Sequence, residues 1–148
     1  MDENKISNIK RLLYDTDNDE VKGIIFQAED QEVLYVYTYN YNWDNGFDIP
    51  QIVLDNEKCD LSIALLIFYR VDGLSYLEDK SDNAKLPQWS SFIKKLYDSI
   101  LTGKYQRGKI GFKVPLSKLQ LFKLKKVITE EENIFIENIE GKCFDIDL

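Results

Sequence analysis

Apolar residues open the chain at Ile6, Ile9, Leu12 and Leu13, the spacing of one face of a helix. A second helix is expected over VKGIIFQAE, capped by Asp17 or Asp19, although Gly23 within it costs about 1 kcal/mol relative to alanine. The period then changes. In YVYTYNYNWDNG an aromatic ring stands at every second position from Tyr35 to Trp43, and alternation with this composition argues for a strand from Val33 to Tyr41. A helix competes, because Leu34, Tyr37, Thr38 and Tyr41 also share a helical face and the preceding Asp-Gln-Glu suits a helix start. Asn45-Gly46 has the composition of a tight turn. The segment after that turn does not read as a returning strand: DIPQIVLDNE places Pro50 in a first helical turn, with Ile49, Ile52 and Val53 at helical spacing.

KCDLSIALLIFYRVDG is the clearest element. Asp60 is positioned as an N-cap, Leu61 to Val71 is apolar on nearly every side, and Gly73 reads as the C-terminal stop of a central, buried helix. Pro87 and Ser90 introduce another helix with a stripe of Phe92, Ile93, Leu96, Tyr97, Ile100 and Leu101, ended by Gly103. Ile110, Phe112 and Val114 alternate with Gly111 and Lys113 as a short strand stopped by Pro115. Ser117 and Gln120 fit a capping box that opens a basic helix running to about Ile128. The tail suggests a small hairpin around Glu140-Gly141. The expectation is a predominantly α fold of about six helices with a small β element in the C-terminal third. Residues 1–148 carry no linker or repeat and read as a single domain.

Charge is distributed in blocks. Residues 1–60 hold 14 acids against 5 bases, and residues 85–126 hold 11 bases against 1 acid, within a net charge of −7. Such asymmetry implies two faces of opposite sign, or one face where the blocks neutralise each other. The longest apolar run, Ile63–Phe68, falls far short of the ~20 residues that span a bilayer. The N-terminus is acidic and polar where a signal peptide would be basic and then apolar, so a soluble, cytoplasmic protein without membrane contact is expected. Cys59 and Cys143 are expected as two buried free thiols, with a Cys59–Cys143 bridge as the alternative.

The absence of histidine removes the commonest general base and the usual nucleophile pairs. Cys59, beside a helix start, is a weak candidate nucleophile. Asp15 to Glu20 opens like a calcium loop but has Glu20 where the glycine belongs and Phe26 where the bidentate acid belongs. Asn40, Asn42 and Asp44 form a second imperfect match. Both read as caps and turns, no phosphate-cradling glycine loop is present, and no cofactor is expected. Asp44 and Asp48 offer a carboxylate pair for hydrolytic chemistry in principle. The basic block with Tyr97, Tyr105 and Phe112 has nucleic-acid composition, but most of its bases fall on the outer faces of amphipathic helices, between acidic segments.

The stretch YNYNWDNGFDIPQIVLDNEKCDLSIALLIFYRVDG resembles the core signature of an uncharacterised bacterial family, domain of unknown function 4274. The resemblance rests on Asn42 to Pro50, Asn56 to Asp60 and Ala64 to Phe68, a core at about 40–73, and extends loosely through the Phe92 helix and KVPLSKLQLFKLKK. It implies a small helical domain, some of whose relatives neighbour secreted toxin systems, and it brings no catalytic residues. It also implies a helix from about Gln31 to Tyr39 in place of the strand.

The expected function is therefore a protein-binding module, most concretely an immunity protein that neutralises a basic bacterial toxin by direct binding. The expected binding residues are Tyr37, Tyr41, Trp43, Asp44 and Asp48, because five rings exceed what one helix face can bury and surplus Tyr and Trp anchor interfaces. The alternative is a small hydrolase or metal-dependent enzyme using Asp44, Asp48 and Asp60. Sequence does not decide whether the acidic N-terminal half or the basic 85–126 block is the binding face, nor the oligomeric state.

Overall fold

Aspartates start most of the helices. The side chains of Asp2, Asp17, Asp30, Asp60 and Asp72 each accept a backbone N–H from the first turn of the adjoining helix, satisfying donors that the helix itself cannot. The computed structural model describes residues 1–148. Its helices are α1 (Glu3–Tyr14), α2 (Asn18–Gln27), α3 (Gln31–Tyr39), α4 (Asp48–Asp55), α5 (Leu61–Arg70), α6 (Gly73–Glu78), α7 (Pro87–Leu101) and α8 (Lys118–Leu124). Two 3-10 turns, Trp43–Asn45 and Glu131–Phe135, complete the regular structure.

Helix α5 is the centre. Every residue from Leu61 to Phe68 is buried, and α3, α6 and α7 pack around it, with α1 against α3 and α2 against α4. Burial on two sides explains the tyrosine-rich segment. Five consecutive residues of α3, Leu34 to Thr38, are buried, so neither a helical stripe nor a strand alternation describes it alone. The helix forms over Gln31–Tyr39, and the strand favoured by alternation does not.

Three further expectations are corrected. There are eight α-helices, not about six. Gly73 does not stop α5: the helix ends at Arg70, Asp72 turns the chain with φ of 65°, and Gly73 begins α6. Glycine is required there for a steric reason, since a Cβ at position 73 would lie 2.2 Å from the Phe68 ring. Helix α8 opens on the expected Ser117–Gln120 capping box but ends at Leu124. Gly103, with φ of 83°, comes after the end of α7 as expected.

The small β element is not formed. Ile110 makes an isolated parallel bridge to Lys142, and Phe112 an isolated antiparallel bridge to Ile139. Two bridges of opposite sense two residues apart cannot belong to one ladder. Beyond them the Val114 N–H is taken by the Asn138 side chain at 2.9 Å rather than by a partner strand. The two segments cross closely at glycines, for a Cβ on Gly111 would meet the Gly141 carbonyl at 2.5 Å.

The C-terminal third instead wraps the helices as irregular chain. The Tyr69 hydroxyl donates to the Phe135 carbonyl. Tyr35 Oη donates to Asp145 Oδ1 at 2.6 Å, and the Asn40 side chain holds Ile146 O and Leu148 N at 2.7 and 2.8 Å. Between α4 and α5 the buried Asn56 performs a similar task. Its amide donates to the carbonyls of Ile25 and Ala28, both at 2.8 Å, and of Phe26 at 3.2 Å, while its oxygen accepts from Lys58 N at 2.7 Å. Both cysteines are free; Cys59 is buried as expected, but Cys143 is exposed. No helix is long and apolar enough to cross a membrane.

Candidate functional site

The NWDNG corner joins α3 to α4. Asn42 Oδ1 accepts from Asp44 N at 3.0 Å and tightens the chain into the 3-10 turn, and Gly46 leaves it with φ of 86°. Tyr41 Oη donates to the Gly46 carbonyl at 2.8 Å, and its ring meets Trp43 edge-to-face with centroids 5.1 Å apart. Tyr37 packs beside Tyr41 at 6.3 Å. Tyr37 and Tyr41 are both buried, and Trp43 is half-buried with its indole N–H facing no acceptor. Burial drives the Tyr37 hydroxyl well above the usual tyrosine range; burial and then the Asp48 charge raise that of Tyr41. These rings therefore hold the corner, and the two tyrosines are not surface anchors.

Asp44 and Asp48 are exposed. Asp48 Oδ2 lies 3.8 Å from Lys22 Nζ, whose other neighbour is Asp19 Oδ1 at 4.0 Å. The packing of α2 on α4 thus brings carboxylates from both helices around one lysine. Lys22 is the only base between Leu12 and Glu57, whereas Asp15, Asp17, Asp19, Glu20, Asp44 and Asp48 are all exposed. This is an acidic face.

Asp60 is elsewhere. It is 3% exposed, and its Oδ1 caps α5 by accepting from Ile63 N at 2.9 Å. Its Oδ2 is buried without a hydrogen-bond partner and packs against Gly108, where a Cβ would meet it at 2.7 Å. Desolvation raises its carboxyl above the ordinary aspartate value, with backbone N–H groups from Ile63 and Ser62 opposing. Asp44, Asp48 and Asp60 are therefore not gathered into one constellation: two face solvent and one is a buried cap. Cys59 is no better suited to attack, because burial, with Asp60 beside it, pushes its thiol far above the ordinary range.

Sequence reasoning missed the apolar part of this surface. On α2, Ile24 and Phe26 are 42% and 59% exposed, and Tyr14 at the end of α1 is 62% exposed. The signal was present in VKGIIFQAE. Val21 and Ile25 form the buried stripe, and Ile24 and Phe26 sit on either side of Ile25, so at least one of them had to leave the core face. Beside the corner, a shallow groove of about 720 Å3 runs from Asn45–Gln51 to the first turns of α7. Phe47 stacked on Phe92 at 4.7 Å helps to line it, with Asp48 and Lys95 at its edges.

No curated protein and no solved structure matches the chain. Residues 29–101, which run from the loop before α3 to the end of α7 and contain the signature at 40–73, match the model of the family described as Domain of unknown function (DUF4274).

Proposed function

We propose that the chain is a protein-binding module that engages a basic partner through the acidic face of α2 and α4. In its most concrete form it is a cytoplasmic immunity protein that neutralises a bacterial toxin by occluding its active site. One observation carries this reading: exposed carboxylates from both helices converge on the single Lys22, on a surface whose α2 also exposes Ile24 and Phe26. Exposed apolar groups within a field of one sign combine contact area with electrostatic steering, which speeds encounter and rejects partners of like charge.

The test is co-expression with the product of the gene encoded beside this one, reading growth rescue and complex formation. Rescue and a salt-sensitive complex are expected. Reversing Asp19 and Asp48 to lysine should weaken the complex by about tenfold or more, chiefly through slower association. A complex indifferent to both reversals rules out this face, and absence of any complex rules out the immunity role.

A further inference from the structure

On another part of the surface, α3, the end of α5 and the segment around Phe112 enclose a cavity of about 390 Å3. That volume lies within the range of small-molecule sites, roughly 300–1,000 Å3. Four aromatic rings line part of its wall, with Leu66, Leu74 and Leu116 among them. Tyr35 and Tyr39 stack with centroids 6.4 Å apart and 19° between planes, and Tyr69 and Phe112 stack at 6.2 Å and 20°.

Charges of both signs stand at these walls. The Arg70 guanidinium lies 4.5 Å above the Tyr39 ring, a stacking that fixes its plane and leaves its N–H edge available. Lys113 lines the same cavity. The ion pairs of the fold employ Lys5, Lys22, Lys80, Lys104 and Arg107, so Arg70 and Lys113 have no carboxylate of their own. On the acidic side, Asp72 is occupied, holding Ser75 through both oxygens. Asp145 is held at Oδ1 by the Tyr35 hydroxyl, and its Oδ2 accepts no hydrogen bond.

A simple anion would meet Asp145 as well as the two cations, and a simple cation would meet Arg70 and Lys113. A ligand carrying both charges answers all three groups. Tyrosine faces suit a flat ring and also attract an ammonium group. We propose that this cavity binds a small zwitterion with an aromatic body, such as a free aromatic amino acid. Its carboxylate is held by Arg70 and Lys113, its ammonium by Asp145, and its ring by the tyrosine walls. The proposal is independent of the acidic-face reading.

The experiment titrates the full chain with phenylalanine and tryptophan, and with phenylpropionate and phenethylamine, which each lack one of the two charges. Calorimetry gives affinities, and amide NMR shifts give location. Shifts at Tyr39, Arg70, Lys113 and Asp145 are expected with an amino acid, with each one-charge analogue about tenfold weaker or worse. Arg70 is exposed, so Arg70→Gln should keep the fold. It should weaken the amino acid and phenylpropionate by about tenfold while leaving phenethylamine unchanged; Asp145→Asn should do the converse. No binding of either amino acid at millimolar concentration overturns the proposal. So does a one-charge analogue that binds as well, or binding indifferent to both substitutions.

Discussion

Asn56 is the side chain on which the joint between α2 and the α4–α5 turn depends. Asn56→Ala removes an amide that serves three carbonyls and an oxygen that serves Lys58 N. The bonds at 2.8, 2.8 and 2.7 Å have good geometry, and the 3.2 Å contact adds less. Each good bond contributes about 1 kcal/mol net, and a buried group left unpaired adds a desolvation cost of about 1–3 kcal/mol. The expected loss is about 4–6 kcal/mol, equivalent in a chain of this size to a fall in Tm of roughly 15 °C. Urea unfolding followed by the fluorescence of Trp43 and Trp89 measures it. Gln51→Ala is the control, because it removes a bond of 3.0 Å to Asp55 that is exposed; it should cost no more than about 0.5 kcal/mol. Asn56→Asp should lose at least as much as the alanine variant at neutral pH, since a carboxylate oxygen would face three carbonyl oxygens where an N–H donor is needed. If Asn56→Ala costs less than about 1 kcal/mol, indistinguishable from the control, the staple is not what joins these helices.

Other outcomes rest on the same packing. Gly73→Ala should destabilise strongly in thermal unfolding, because its Cβ has no room against Phe68, whereas Gly23→Ala, with nothing within 4 Å, should gain about 0.5–1 kcal/mol from helix propensity. Glu132 and Asp60 should show opposite pH dependence in unfolding measured across the acid range. Burial raises the Glu132 carboxyl, but Thr129 N, Lys80 and Tyr97 together outweigh it and hold the group below its ordinary value. Its contribution is therefore present above the ordinary glutamate pKa and is lost as pH falls through the depressed one, so the cost of Glu132→Gln should shrink in acid. Asp60 is raised, so the folded state binds its proton more tightly and the wild type should gain on Asp60→Asn as pH falls. A thiol-specific reagent should modify exposed Cys143 in the native protein and reach buried Cys59 only on unfolding; equal rates would contradict the packing around α5.

What the sequence disclosed and what it hid divide along contact range. Asp17, Asp60 and Ser117 were readable as caps because a cap acts within three residues, and Gly103 was readable as a stop for the same reason. Gly73 misled because its role is set by a ring five positions earlier and by the left-handed turn at Asp72. The tyrosine repeat misled more deeply. Alternation implies a strand only where one side faces water, and α3 has core on both sides of Tyr35 and Tyr37; the family resemblance pointed to the helix where periodicity did not. The segment from Ile110 onward was least legible, because its bridges and hydrogen bonds join residues whose pairing no local pattern encodes. For the candidate site, the acidic residues were visible as a charge block. Their convergence on Lys22 required α2 to pack on α4, and the separation of Asp60 required knowing that α5 is buried from its first residue through Phe68.

Residues 145–148 complete the wall built by α1 and α3. Tyr35 reaches Asp145 across 110 positions, Asn40 reaches Ile146 across 106, and Tyr14 reaches Leu148 across 134. Closing such loops is entropically costly and comes late in folding. During synthesis, α1 to α5 can emerge and associate while α3 still exposes tyrosine surface that awaits its cover. Until residues 145–148 leave the ribosome, that surface is open to chaperones and to neighbouring nascent chains, and the aromatic cavity lacks its acidic side. The tyrosine face of α3 is thus finished by residues made more than a hundred positions after it.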